Sequence, residues 1–205
     1  MKIALLFILS YLLGSFPSGV IIGNVFYHKD IRDFGSGNIG TTNTFRVLGR
    51  PAGVVVLILD IFKGALGTYL PVLLGYPHNY LMLIAGIAAV IGHCYSIFLK
   101  FTGGKAVATS AGVLLAYNPQ FFLIAITIFL IILLLSSMVS VSSIIGSVLV
   151  VLSSLFLKDL PFTILLLVLA TFLIYRHRSN IARIKAGTES IVPFGLVHYL
   201  RKKQD

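Results

Sequence analysis

Long apolar runs alternate with short polar segments along the chain. By residue number, the runs cover about 3–26, 52–75, 79–99, 106–117, 119–135, 144–157 and 160–175. Since a helix needs roughly 20 apolar residues to cross a bilayer, the pattern predicts an all-α, polytopic integral membrane protein. We expect a bundle of seven transmembrane helices in a single domain, residues 1–205. The run 106–117 is short for a crossing, and the serines within 119–157 also permit one bent span instead of two.

The first run resembles a signal peptide only superficially. It is longer than the apolar core of a signal peptide and has no small-x-small cleavage site. The sequence therefore predicts a retained first helix.

Composition supports the membrane class and argues against a nucleic-acid-binding, disulfide-linked or metal-binding protein. The mean hydropathy is +1.01, with 58% apolar and 11% charged residues. The net charge of +10 lies in short loops between apolar runs, which favours a role in topology and phosphate-bearing partners over nucleic acid. Cys94 is the single cysteine, so no intramolecular disulfide forms. With no Cys/His cluster and no clustered carboxylates in the loops, we expect no metal and no cofactor.

The basic residues also predict an orientation. With seven spans, all of the 16 lysines and arginines except Lys2, Lys63 and Lys158 fall on one face of the membrane. The positive-inside rule then places the N-terminus outside and the C-terminus in the cytoplasm. Removing one span would scatter the basic loops over both faces. The same orientation gathers the polar, glycine-rich segments on the cytoplasmic face.

The first of these segments, residues 35–49, interrupts the apolar pattern most strongly. It contains four glycines, several hydroxyl and amide side chains, and Arg46. Glycines allow backbone N–H groups to form a concave anion site, which hydroxyls and a guanidinium complete. Gly35, Gly37 and Gly40 also match the dinucleotide fingerprint. That fingerprint needs a preceding strand and a later acidic residue, whereas an apolar helix is predicted before this segment. We therefore reject a nicotinamide or flavin site here.

Two further polar segments carry candidate anion ligands. In residues 101–109, Gly103, Gly104 and Lys105 precede a predicted helix, so they are suited to phosphate; alternatively, Lys105 only reaches for the interface. In residues 176–189, a continuing helix would place Arg176, Asn180 and Arg183 on one face. The plainer interpretation is a basic flank of the last span. We refer to these three segments as the first, second and third motifs.

Three ionisable residues lie within the apolar runs. Asp60 and Lys63 are three positions apart in one run, and charged groups at membrane depth cost about 2.5–3.5 kcal/mol each to insert. We interpret them as a pair that supports the site from behind. His93 is interpreted as a packed, hydrogen-bonded histidine rather than a base.

The three motifs together resemble those of the bacterial acyl-phosphate-dependent glycerol-3-phosphate acyltransferases, the PlsY type. The resemblance covers the whole chain and includes residues 35–46, 103–109, 177–183 and 187–189, besides the surroundings of Asp60, Lys63 and His93. Two departures are Ile39, where the family commonly has proline, and a longer tail after Glu189.

The resemblance implies a seven-helix inner-membrane enzyme that uses no metal. It would acylate the 1-hydroxyl of glycerol 3-phosphate from acyl phosphate, in contact with membrane lipid and functionally coupled to the enzyme that makes acyl phosphate from acyl carrier protein. Ser36 to Asn43 would hold the acyl phosphate, and Arg46, Lys105 and Asn180 the glycerol 3-phosphate, with Ser142 and His177 nearby. The expected catalytic residues are Ser36, Asn43, Arg46, Lys105, His177 and Asn180. The full expected substrate-binding set is Ser36, Gly37, Asn38, Gly40, Thr41, Thr42, Asn43, Arg46, Gly103, Gly104, Lys105, Ser142, His177, Asn180, Arg183 and Glu189.

Two alternatives come from other features. His28 and Asp33 match the H-x-x-x-x-D signature of other glycerolipid acyltransferases, but the family resemblance assigns no role to His28, so we interpret the match as accidental. A transporter for a phosphorylated solute would also explain the intramembrane Asp60 and Lys63 and the broken helices. The sequence shows no inverted repeat, however, and the polar segments cluster on one face.

Overall fold

A computed structural model describes residues 2–203, and in this range all regular elements are helical. The helices are α1 Lys2–Ser15, α2 Ser18–Tyr27, α3 Thr41–Leu48, α4 Arg50–Leu73, α5 Asn79–Cys94, α6 Val107–Tyr117, α7 Pro119–Ser136, α8 Val139–Ser154, α9 Leu160–Arg176, α10 Arg178–Lys185 and α11 Leu196–Lys202. Short 3₁₀ turns cover Ile31–Asp33, Ile97–Leu99 and Leu155–Leu157. The chain divides into two compact units, Met1–Pro119 and Gln120–Asp205, and the single-domain expectation stays a prediction.

The first apolar run does not form one helix, which corrects the prediction for this segment. The chain breaks at Phe16 and Pro17, and the axes of α1 and α2 bend by 41°. Proline has no N–H to donate and disfavours helical geometry in the residue before it. The break leaves the carbonyl of Phe16 available, and the ammonium of Lys63 donates to it at 2.8 Å.

In the first unit, α4 packs against α1, α3, α5 and α6. The contact between α4 and α6 depends on two small residues. A Cβ at Gly64 would overlap the carbonyl of Thr109, and one at Gly112 would overlap the carbonyl of Ile61. Glycine therefore lets the two backbones touch, as at many membrane helix interfaces. This contact holds the helix that follows the second motif against the helix that carries Asp60 and Lys63.

In the second unit, α8 packs against α9, and the rings of Phe121 and Phe162 meet edge to face at 5.4 Å. The serine-rich stretch separates α7 from α8 at Ser137, which adopts a left-handed conformation with φ of 54°. Two separate helices are thus present here rather than one bent span. Helix α8 begins at Val139, inside the serine cluster that the sequence pattern placed between runs.

The lengths and apolar character of the helices agree with a multi-pass membrane protein. Among residues 2–203, α4, α7 and the segment Val139–Leu157 are long and apolar enough to cross a membrane. The count in this range reaches five if the bent pairs α1–α2 and α9–α10 are each one span. Helices α5 and α6 are apolar but shorter. Many large apolar side chains point outward, as lipid contact requires. The number seven and the orientation stay predictions.

Candidate functional site

The side chain of Asn43 organises the loop of the first motif. Its amide nitrogen donates to the carbonyls of Ile31 at 2.9 Å and Phe34 at 3.1 Å. Its oxygen accepts from the backbone N–H of Ser36 at 2.9 Å. Asn43 is buried, and both amide protons are used within the loop. The predicted substrate ligand is therefore, in this structure, the residue that fixes the position of Ser36.

Gly35 allows the chain to pass close to the side chains of Asn43 and Arg46. Its φ is +62°, and a Cβ would overlap the side-chain oxygen of Asn43 and contact Cδ of Arg46. Only glycine accepts this conformation at such close range without strain. Ser36 follows directly, and both Ser36 and Arg46 are exposed. The loop thus exposes Ser36 directly after a glycine that packs against the stem of Arg46.

The N-terminus of α3 completes the first motif. Gly40 precedes the helix, and its N–H donates to the side-chain oxygen of Asn38 at 3.0 Å. The N–H groups of Thr41 and Thr42 lie in the first turn, where a helix has no internal acceptors. Such N–H groups favour an anion, and Thr42 is exposed beside them. Asn38, like Asn43, shapes the loop through the backbone.

The loops of the first and second motifs rest on one hydrophobic cluster of buried residues. Its members are Val20, Ile31, Ile39, Leu48, Ala52 and Leu99. Ile39, one of the departures from the family pattern, buries its side chain here. Leu99 belongs to the connection that leads into the second motif. Within the first unit, the cluster therefore fixes both motif loops to the same core.

The second motif packs on the end of α5. The N–H of Gly104 donates to the carbonyl of His93 at 3.1 Å. A Cβ at Gly104 would overlap the imidazole of His93, and one at Gly103 would overlap the carbonyls of His93 and Cys94. Lys105 is half-buried, and α6 begins at Val107 after Ala106, whose φ is 57°. The predicted order of two glycines, a lysine and a helix start is confirmed.

Behind the second motif lies a buried polar cluster, residues Ser18, Asp60, Lys63 and His93. Lys63 Nζ is 2.7 Å from Asp60 Oδ1, which confirms the predicted pair. Ser18 Oγ donates to the same oxygen at 2.5 Å. His93 Nδ1 lies 3.8 Å from Asp60 Oδ1. Ser18 was not among the residues predicted from the sequence, although its position just after Pro17 at a helix start is a usable signal.

In the second unit, His177 ends α9. Its Nδ1 lies 2.8 Å from the carbonyl oxygen of Leu173, and because a carbonyl only accepts, Nδ1 carries a proton. The chain then bends by 57° into α10. The last helix therefore does not continue straight, and the condition for a shared face is not met: Arg176 belongs to α9, whereas Asn180 and Arg183 share α10. Since His177 is buried, its ring is fixed at the bend.

Glu189 joins the two polar residues of α10. Asn180 Nδ2 donates to Oε1 and Arg183 Nε donates to Oε2, both at 2.7 Å. Burial alone would raise the pKa of Glu189, but the hydrogen bonds from Asn180 and Arg183 and the charge of Arg183 hold it below its usual 4.5. Glu189 is therefore an anion, and its carboxylate holds Asn180 and Arg183 in position. Ser142 is buried, and its Oγ donates to the carbonyl of Met138 at 2.8 Å.

The depressed pKa of Glu189 predicts a pH dependence. A carboxyl whose folded-state pKa is lowered stabilises the fold fully above its unfolded value and loses this contribution as the pH falls through the folded value. As the pH is lowered from about 4.5, we expect the melting temperature of the wild type to decrease more steeply with pH than that of Glu189→Gln. Melting curves of both proteins across that range test this. Asp33→Asn, at an exposed carboxylate, is the matched control, and equal slopes for wild type and Glu189→Gln would contradict the assignment.

The structure thus places the predicted residues in two groups. The first unit holds Ser36 to Arg46 and Gly103 to Lys105 on a shared core, and the second unit holds Ser142, His177, Asn180, Arg183 and Glu189. Among residues 2–203, no group of three or more His, Cys, Asp or Glu side chains is arranged to hold a metal ion. The chemistry offered is hydrogen-bond donors and cations, which suits anionic substrates.

A multi-pass helical membrane protein with glycine-rich loops, a helix start and basic side chains in its polar segments is suited to be an enzyme or a carrier for anionic compounds. Comparison with known proteins decides between these. The family model described as glycerol-3-phosphate acyltransferase matches residues 4–187, and the chain belongs to this family of enzymes.

Relatives and solved structures agree with this assignment. The glycerol-3-phosphate acyltransferase of Latilactobacillus sakei is 62% identical over 100% of this chain and 99% of its own length. That of Enterococcus faecalis is 55% identical over 96% of this chain and 94% of its own. Crystal structures of PlsY (YgiH), an integral membrane glycerol 3-phosphate acyltransferase, in its glycerol 3-phosphate and lysophosphatidic acid forms, are 35% identical, with TM-scores of 0.87 and 0.84. The match to each structure covers 98% of this chain and 99% of the solved chain.

Proposed function

We propose that this protein transfers an acyl chain from acyl phosphate to the 1-hydroxyl of sn-glycerol 3-phosphate. The products are 1-acyl-sn-glycerol 3-phosphate, or lysophosphatidate, and inorganic phosphate, in the first step of phospholipid biosynthesis. The observation that carries the proposal is the family match over residues 4–187. The choice of acyl phosphate as donor rests on the resemblance of the three motifs to the PlsY type. Functional coupling to the enzyme that makes acyl phosphate from acyl carrier protein follows from the same donor.

The residue assignments are those that the resemblance of the motifs to the PlsY type implies, and the groups that these residues present are suited to them. Ser36 to Thr42, with the first N–H groups of α3, receive the phosphate of the acyl phosphate. Arg46 and Lys105 supply positive charge to glycerol 3-phosphate, and Gly103 and Gly104 let the loop before Lys105 pack on the end of α5. Asn43 and Glu189 act one step removed, because their polar atoms hold Ser36, Asn180 and Arg183 in place. Within the second unit, the same resemblance assigns Ser142, His177, Asn180 and Arg183 to substrate binding.

The reaction needs little basic assistance. The hydroxyl oxygen attacks the carbonyl carbon, a carbon–oxygen ester bond forms, and the bond from the carbonyl carbon to the phosphate oxygen breaks. Acyl phosphate is a mixed anhydride, so its leaving group is already good. His93 is buried beside Asp60, and the lowered pKa of Glu189 makes it a weak base. His177 is buried and lies between Arg176 and Arg178 in the sequence, where nearby positive charge disfavours the uptake of a proton. We therefore assign the hydroxyl proton to a substrate phosphate oxygen, and catalysis to positioning and electrostatics.

The direct test is an assay of purified protein in detergent. We expect synthetic acyl phosphate and glycerol 3-phosphate to give lysophosphatidate and inorganic phosphate in equal amounts, with or without EDTA. Detergent removes any vesicle barrier, so turnover there also separates acyl transfer from transport. Absence of product with acyl phosphate, but turnover with an acyl thioester, would overturn the donor assignment. Loss of activity in EDTA that magnesium restores would overturn the metal-free mechanism.

We also propose a bacterial inner-membrane location with seven spans, the N-terminus outside and all three motifs cytoplasmic. The support is that the Lys and Arg residues other than Lys2, Lys63 and Lys158 concentrate in segments that this arrangement places on one face. Three long helices, two bent pairs and two shorter apolar helices offer segments for seven crossings. The loop that carries Lys158 then lies outside.

Cysteine labelling in intact cells tests this topology. In a Cys94→Ala background, we expect Ser36→Cys and Ser179→Cys to resist a membrane-impermeant maleimide until the cells are permeabilised. Both positions are exposed, so the label reaches them once the barrier is gone. Lys158→Cys should be labelled from outside and serves as the positive control. External labelling at position 36 or 179 would contradict the orientation.

A further inference from the structure

The tail after Glu189 is unexplained by acyl transfer, yet it is held in a defined place in the second unit. The N–H of Val192 donates to the carbonyl of Ser137 at 2.8 Å, and the N–H of His198 donates to Ser137 Oγ at 3.0 Å. Gly195, with φ of +93°, lies so close to Leu134 that a Cβ would press on its carbonyl oxygen. Ser137 itself is fully buried. Residues 190–203, which we call the tail, therefore dock at one specific turn.

This turn lies at the end of two membrane-spanning candidates. Helix α7 ends at Ser136 and the segment Val139–Leu157 begins directly after it. A short turn between two apolar spans sits at the border of the hydrocarbon layer, because its own polar groups need water. The contacts with Ser137 therefore hold helix α11 of the tail, Leu196–Lys202, near the membrane surface.

The side chains of α11 suit such a position. Leu196, Tyr199 and Leu200 share one face at helical spacing, and each is about half exposed, as is Phe194 just before them. Val197 and His198, on other faces, are less exposed. Helices that lie in a membrane interface combine an exposed apolar face with basic residues and an aromatic ring at headgroup depth.

The charge of the tail selects the kind of surface. From residue 190 to the end of the sequence there are three basic residues, Arg201, Lys202 and Lys203, and one acidic residue, Asp205. Lys203 Nζ lies 5.0 Å from the centre of the Tyr199 ring, so the basic cluster adjoins the apolar face. Basic clusters next to a membrane are attracted to anionic lipid headgroups, and the attraction decays within a Debye length.

We propose that the tail is an interfacial anchor that binds anionic lipid headgroups. Phe194, Leu196, Tyr199 and Leu200 enter the boundary between headgroups and acyl chains, and Arg201 to Lys203 contact lipid phosphates. A protein partner would need an acidic surface at the same depth in the membrane, whereas the anionic leaflet is already there. This role goes beyond the proposed acyl transfer and does not depend on it.

The chain has no tryptophan, so one substitution supplies a clean reporter. Full-length Tyr199→Trp is reconstituted in nanodiscs of phosphatidylcholine alone or mixed with phosphatidylglycerol, with lipids brominated close to the headgroup as quenchers. We expect a blue-shifted emission and strong quenching in the anionic discs, a weaker response in the neutral discs, and loss of the difference in high salt. An emission typical of water in both lipids would overturn the proposal, and so would equal quenching in both.

Charge removal gives the matched comparison. In the Tyr199→Trp background, the triple substitution Arg201→Gln, Lys202→Gln and Lys203→Gln should reduce quenching in anionic discs to the level in neutral discs. The control removes the same charge elsewhere, by Lys29→Gln, Arg50→Gln and Lys100→Gln, all at exposed positions, and should leave the lipid dependence unchanged. A tail triple that keeps the dependence, or a control triple that abolishes it, would overturn the role of the basic cluster.

Discussion

Arg46→Ala and Lys105→Ala are each expected to lose about 2–5 kcal/mol of transition-state stabilisation, measured as a decrease in kcat/KM. This is the range for a charged partner lost from a desolvated pair. At about 1.4 kcal/mol per factor of ten, the loss runs from roughly 30-fold to several thousand-fold. Both side chains are assigned to glycerol 3-phosphate, so its phosphate would lose one of two cations. Arg46→Lys should recover little, because an ammonium cannot replace the planar fork of a guanidinium.

Neighbouring basic residues provide the controls for this experiment. Arg50→Ala removes a guanidinium four residues further along the chain, at the exposed start of α4, and Lys100→Gln removes an exposed ammonium ahead of the second motif. Both controls should keep kcat/KM near that of the wild type. Steady-state kinetics on all the proteins, with thermal melts to confirm folding, give the measurement. Near-normal kcat/KM in Arg46→Ala would refute its role.

The sequence predicted the elements of this molecule well because apolar length is a local property. The helical class, the break between the fifth and sixth runs, the start of α6 and the pairing of Asp60 with Lys63 all follow from residues close together in the chain. The break at Pro17 was missed because the run was interpreted from its hydropathy alone. Proline acts through one absent N–H and one ring, which an average over some twenty residues conceals.

The roles of individual site residues were harder to predict, since they depend on partners far along the chain. Asn43 has the composition of an anion ligand, but its amide is used by backbone groups of Ile31 and Phe34. Glu189 matched the family motif, yet its charge is directed at Asn180 and Arg183. Side-chain type therefore predicts which segments carry the candidate site, whereas hydrogen-bond geometry separates the candidate ligands from the residues that position them.

The second large effect is expected from the buried pair of Asp60 and Lys63. Removing one partner of a buried ion pair leaves an uncompensated charge and typically costs about 3–5 kcal/mol of stability. We expect Asp60→Asn and Lys63→Met each to destabilise the protein by that amount. The double variant should be more stable than either single one, because it buries no unpaired charge. Thermal melts of the four proteins in one detergent provide the measurement.

The double variant also tests whether the pair positions the second motif. Asp60 lies beside His93, and the imidazole of His93 packs on Gly104, next to Lys105. A neutral pair is expected to loosen this contact, so the folded double variant should show a raised KM for glycerol 3-phosphate at a temperature well below its melting point. Thr68→Val is the matched control, since it removes a buried hydroxyl that donates to the carbonyl of Gly64 within the same helix. We expect it to cost about 1 kcal/mol of stability and to leave KM unchanged. If the double variant is folded and binds substrate like the wild type, the pair serves stability alone and does not position the second motif.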